Sequence, residues 1–164
     1  MDLIRITAAL VVGSLMAAAF FIVLGALFPV RIGRTRAAAA AAPGRAFVIG
    51  LVNLVFFAAV AAALVALSQW THIQLLTLPA LAVAAVLIIA GVFGLAGVVE
   101  VVGERLLPQA AGARRSGLGG LVLAWACALP YVGWFGLLPY VLSLGVGALI
   151  LSFIVPASRV EVTP

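Results

Sequence analysis

The sequence has no lysine, one histidine (His72), one cysteine (Cys127) and four acidic residues (Asp2, Glu100, Glu104, Glu161) in 164 positions. Each shortage excludes a chemistry. Without lysine there is neither a Walker-type phosphate loop nor a Schiff base. One cysteine rules out an internal disulfide and a thiolate-built zinc or iron–sulfur centre. Set in an apolar run, Cys127 is expected to act as a small hydrophobe. His72 is the only base available to a serine nucleophile, and no Gly-x-Ser-x-Gly elbow occurs. Gly145 and Gly147 imitate the start of a dinucleotide fingerprint, but Ile150 stands where its third glycine belongs. No enzymatic centre is expected, and no cofactor.

The scarcest commodity is charge. Charged residues make up 8% of the chain and hydrophobic ones 67%, against about a quarter and about half in an ordinary soluble domain. So few charges cannot cover a surface facing water, which excludes a soluble globule, a disordered chain and a nucleic-acid-binding domain. The solvent implied is the lipid bilayer. The net charge of +5 comes from nine arginines, and the anions they are expected to meet are lipid headgroups.

What is present is long apolar runs. A helix needs about 20 apolar residues to cross a hydrocarbon core of ~30 Å. Residues 6–30 are free of charge and provide one crossing. Residues 46–99 are 54 positions without a formal charge, broken by the polar stretch Ser68–Gln74, and predict crossings near 46–67 and 75–100. Residues 116–158 are 43 uncharged positions interrupted around Pro130–Gly136, and predict crossings near 117–132 and 136–156. The expectation is a single all-α transmembrane domain over residues 1–164, a bundle of five crossings. The alternative is four, with residues 117–136 forming a re-entrant pair of half-helices.

With five crossings, Arg31, Arg34, Arg36 and Arg45, then Arg105, Arg114 and Arg115, and finally Arg159 share one side, and only Arg5 lies opposite. The positive-inside tendency makes that side cytoplasmic and the N-terminus external. Trp70, Tyr131 and Trp134 fall in the turns of the far side, where interfacial aromatics belong. The chain is therefore expected in an inner (cytoplasmic) membrane. Although Arg5, an apolar run and Ala17-Ala18-Ala19 imitate a signal peptide, the run continues to Val30 and implies a retained helix.

Small residues recur at helical spacing: Ala58, Ala62 and Ala66; Gly91, Gly94 and Gly97; Ala124 and Ala128; Ser143 and Gly147. Such faces let membrane helices approach closely, either within this bundle or against a partner. Pro29 and Pro156 are expected to end crossings, and Pro79 and Pro139 to sit in first turns, where a missing donor is harmless. Ala37–Ala42 followed by Pro43-Gly44 predicts a short surface helix with arginines facing phosphates.

Three residues remain as intramembrane or interfacial candidates. Asn53 is expected to hydrogen-bond a neighbouring helix, as packing glue or as a pore-lining amide. Glu100 and Glu104 are both expected within reach of Arg31 or Arg34, and Glu100 is either the acidic half of an interfacial ion pair with one of these arginines or a proton-relay carboxylate. His72 is either an interfacial imidazole or a ligand to a haem or pigment.

In order, the chain carries Leu27-Phe28-Pro29, Pro43-Gly44-Arg45-Ala46-Phe47-Val48-Ile49-Gly50, Thr77-Leu78-Pro79, Val102-Gly103-Glu104-Arg105-Leu106 and Leu129-Pro130-Tyr131-Val132-Gly133-Trp134. This series resembles the polytopic domain of bactofilin-type, polymer-forming cytoskeletal-associated bacterial membrane proteins. The resemblance implies the helical topology. The β-rich domain that often precedes these helices in that family has no counterpart in these residues. The expected role is a non-enzymatic structural or accessory subunit of a larger membrane assembly, with other membrane subunits or further copies of itself as partners. A small transporter or channel is the alternative, and a His72-based haem or pigment subunit the third.

Overall fold

A computed structural model describes residues 2–71, 75, 77–110, 112–129 and 131–154. Among them every regular element is helical: α1 (Asp2–Leu27), α2 (Pro29–Ala41), α3 (Pro43–Thr71), α4 (Thr77–Leu106), α5 (Ala113–Ala128), a π-helical segment (Val132–Leu137) and α6 (Leu138–Ile154). Among the described residues, four segments are long and apolar enough to cross a membrane: Thr7–Leu27, Pro43–Thr71, Thr77–Leu106 and Val132–Ile154. α5, of 16 residues, falls below that length and carries Arg114 and Arg115 in its first turn.

Two prolines set the first boundaries. The pyrrolidine ring of a proline disfavours the helical region for the residue before it. Phe28, before Pro29, takes φ −127° and ψ 52°, and Ala42, before Pro43, takes φ −146° and ψ 67°. The apolar run 6–30 therefore divides at Phe28. The alanine helix begins earlier than its alanines do, at Pro29, so Arg31, Arg34 and Arg36 lie on it.

Pro139 acts further along. It cannot donate to the carbonyl four residues earlier, and its ring would collide with that oxygen. A wider turn avoids the collision. The chain before it winds as a π-helix, in which the Leu138 N–H donates to the Gly133 carbonyl. The crossing expected at 136–156 thus starts at Val132 with an irregular turn.

Glycine and serine faces set how closely the helices approach. A methyl group built on Gly50 would lie 1.7 Å from the Ser143 carbonyl oxygen, and one on Gly147 would lie 1.7 Å from that of Ala46. α3 and α6 therefore meet backbone to backbone, antiparallel, through Ala46/Gly50 and Ser143/Gly147. Gly94 meets Gly145 in the same way, joining α4 to α6. Gly119 meets the Val99 carbonyl and Gly103 that of Arg115, joining α4 to α5. Against α1, antiparallel α5 sets Gly120 near Ala18 and Phe21, and further along sets Ala124 and Ala128 near Ala9, Leu10 and Gly13.

α4 and α6 form the centre, with a core including Val98, Val99, Val141, Leu144 and Ala148. α1 and α3 are peripheral: 11% and 6% of their most apolar windows are buried, against 33% and 44% for α4 and α6. Val12, Met16, Val52, Val55 and Phe56 are exposed. A water-soluble bundle would put polar side chains there, whereas lipid accepts these. The chain has the build of a multi-pass membrane protein.

Candidate functional site

The polar side chains gather at one end of the bundle, where α1 passes into α2 and α4 into α5. Thr35 is buried there on α2. Its Oγ1 donates to the Arg31 carbonyl at 3.1 Å, and its methyl group packs where a side chain on Gly97 would collide with it. That contact fixes the face α2 turns to α4. One position on, an Arg36 guanidinium N–H donates to the Glu104 carboxylate and forms an ion pair. Both side chains keep substantial exposure, 32% and 43%, so the pair is a surface clasp between α2 and α4 and not a buried charge centre.

Beside the clasp lies an open cleft of about 280 Å³ between α1, α2, α4 and α5, lined by Gly25, Gly33, Arg36, Glu100 and Ser116 among others. Glu100 accepts a hydrogen bond from the buried Ser116 hydroxyl. Gly25 leaves the room, since a methyl group there would come 3.2 Å from Ser116 Oγ and 3.8 Å from Glu100 Oε1. The two expected partners, Arg31 and Arg34, therefore pair with neither glutamate. They lie on other faces of α2. The Arg31 guanidinium stacks 4.5 Å from the centre of the Phe153 ring, a cation–π contact fastening α2 to the end of α6.

Arg34 and Arg45 line a second and larger groove, about 730 Å³, between α2, the start of α3 and the last turn of α6. Arg105 and Arg114 are exposed at the α4–α5 turn. Arg115 donates through Nε to the Ala110 carbonyl at 3.1 Å, closing the loop that Gly112 turns with φ +58°. All seven of the arginines expected at an interface thus occupy the same end of the bundle.

Asn53 is not joined to them. Its amide Nδ2 donates to the Ile49 carbonyl of its own helix at 2.8 Å, where a neighbouring helix was expected, and it does not line the cleft that Glu100 lines. A short amide reaches its own preceding turn more easily than another helix. His72, Arg159 and Glu161 lie outside the described residues. No cluster of three metal-ligating side chains occurs among the described residues.

Two serines carried no polar signal of their own in the sequence. Ser116 matters as the hydrogen-bond donor to Glu100; its clue is the spacing Ser116/Gly120, a small-residue face turned to α1. Ser143 was legible as a packing position, but its buried hydroxyl has no hydrogen-bond partner among the described residues. The tight α3–α6 contact encloses it.

No family model, no curated protein and no solved structure matches the chain.

Proposed function

We propose that this chain is a non-enzymatic, multi-pass structural or accessory subunit, docked within a membrane assembly through the outer face of α3. One observation carries the reading. The small-residue faces of α4, α5 and α6 are used inside the bundle, whereas Ala58, Ala62 and Ala66 of α3 are exposed. Lipid offers such a face no special complementarity, but another helix does. Extraction in mild detergent, with Ala62→Cys in a Cys127→Ser background as a cross-linking site, tests this. A cross-linked complex is expected; a solitary monomer with no adduct refutes the reading.

The placement proposed is five crossings, N-terminus external and arginine-rich end cytoplasmic, in an inner membrane. Its support is the path of α5 alongside α1 from Gly25 to Ala9. Sixteen residues reach about 24 Å at 1.5 Å each, and the turn that follows carries Tyr131 and Trp134, suited to the headgroup belt. A re-entrant segment would turn back short of that end. The bactofilin-type resemblance agrees with this placement and rests on turn and packing residues.

The cleft holding Glu100 favours one second reading, a small transporter using that carboxylate. Proteoliposome flux that Glu100→Gln abolishes would support it, and flux unchanged by Glu100→Gln would remove it.

A further inference from the structure

We propose that the groove between α2 and α6 is a binding site for one anionic phospholipid, its phosphate held by Arg34 and Arg45 and an acyl chain lying along the alanines of α2. The proposal rests on the membrane placement above but not on the partner face of α3.

The groove owes its existence to the alanine tract. Ala37 and Ala41 stand four residues apart and so lie one above the other on the helix, and Ala38 stands four residues before Ala42, the residue that caps it. Gly33 continues the first row and Arg34 the second. Larger side chains in these rows would fill the space of about 730 Å³ that now opens toward Leu151 and Ile154 of α6. The Arg31–Phe153 stack, 4.5 Å from guanidinium to ring centre, braces this region between α2 and α6. Ser152 turns its hydroxyl inward to the Leu149 carbonyl at 2.6 Å, so it offers that hydrogen to nothing in the groove.

Charge selects the occupant. Arg34 and Arg45 line the groove and have no carboxylate partner among the described residues. Glu104 is engaged by Arg36 and Glu100 by Ser116. A guanidinium presents paired donors that match phosphate oxygens. Apolar walls with two cations that have no carboxylate partner among the described residues fit an amphiphile with a fatty chain and an anionic head. A free phosphate would leave the walls uncovered, and a zwitterionic lipid would bring a cation of its own to the arginines.

Native mass spectrometry of the full chain, released from detergent micelles loaded with equimolar phosphatidylcholine and phosphatidylglycerol, tests the site. One phosphatidylglycerol should be retained in preference to phosphatidylcholine. At about 1 kcal/mol for each arginine facing an anionic surface, Arg34→Gln with Arg45→Gln should weaken retention roughly thirtyfold. The charge-matched pair Arg105→Gln and Arg114→Gln should leave it within about twofold, since neither lines the groove. Ala38→Trp should abolish retention with both arginines intact.

Equal losses in the two charge-matched variants would mean diffuse attraction and would overturn the proposal. So would full displacement by soluble glycerophosphoglycerol, which lacks the acyl chain. Retention seen only with Glu161→Gln would assign the groove to the chain's own C-terminal segment and would likewise overturn it. Flotation with liposomes is read in parallel: variants that float but lose the lipid separate failure of the site from failure of the membrane placement.

Discussion

Glycine positions show how sharply one atom can decide packing. A methyl group at Gly147 would overlap the Ala46 carbonyl at 1.7 Å, while one at Gly13 would meet nothing within 4 Å. Gly147→Ala is therefore expected to push α3 from α6 and destabilise the bundle by about 1–3 kcal/mol, the usual range for overpacking. Gly13→Ala should be neutral or stabilising by up to ~1 kcal/mol, because alanine is the better helix former. Reversible unfolding in mixed micelles compares the two, and equal effects would contradict the packing described. Arg36 and Glu104 pose a question of magnitude at the same scale. Their partial exposure limits the coupling to about 0.2–1 kcal/mol in a double-mutant cycle of Arg36→Gln and Glu104→Gln. A larger value would mean that the clasp is shielded from water.

At the scale of elements, prolines and small residues account for the departures from the simple reading of apolar runs. Hydropathy does not register a pre-proline residue, so the run 6–30 reads as one helix although it bends at Phe28. The π-helical turn has the same origin in Pro139, and Gly133 allows it to close against α5. A methyl group at Gly133 would come 2.4 Å from the Cys127 carbonyl oxygen, and one at Gly136 would touch nothing. Gly133→Ala should cost about 1–3 kcal/mol and lower the unfolding midpoint, while Gly136→Ala should leave it unchanged. If both variants unfold alike, the turn is not seated on α5 as described. The polar side chains were legible as types but not as pairs. Glu100 and Glu104, a helical turn apart, go to different partners because Arg36 and Ser116 approach α4 from different sides. Asn53 turns to its own backbone, a choice that spacing alone cannot reveal.

For the whole molecule, the distribution of arginines sets a testable polarity. With a membrane-impermeant maleimide on inverted vesicles in a Cys127→Ser background, Gly112→Cys should be labelled and Trp134→Cys protected; on right-side-out vesicles the pattern should reverse. Labelling of both from one side would refute five crossings.

Composition alone determined the solvent: with 8% charged residues, no other surroundings can cover this surface, and apolar runs then dictate helices because unpaired backbone groups are costly in lipid. The order of residues put the arginines into the same connections. Only the tertiary structure decided which small-residue face meets which. Lipid tails are as apolar as the side chains, so pairing depends on backbone fit within an ångström or two rather than on burial. Hydropathy carries no information at that resolution. For the same reason the alanine tract, legible only as a good helix former, became the floor of a groove once α6 was laid beside it.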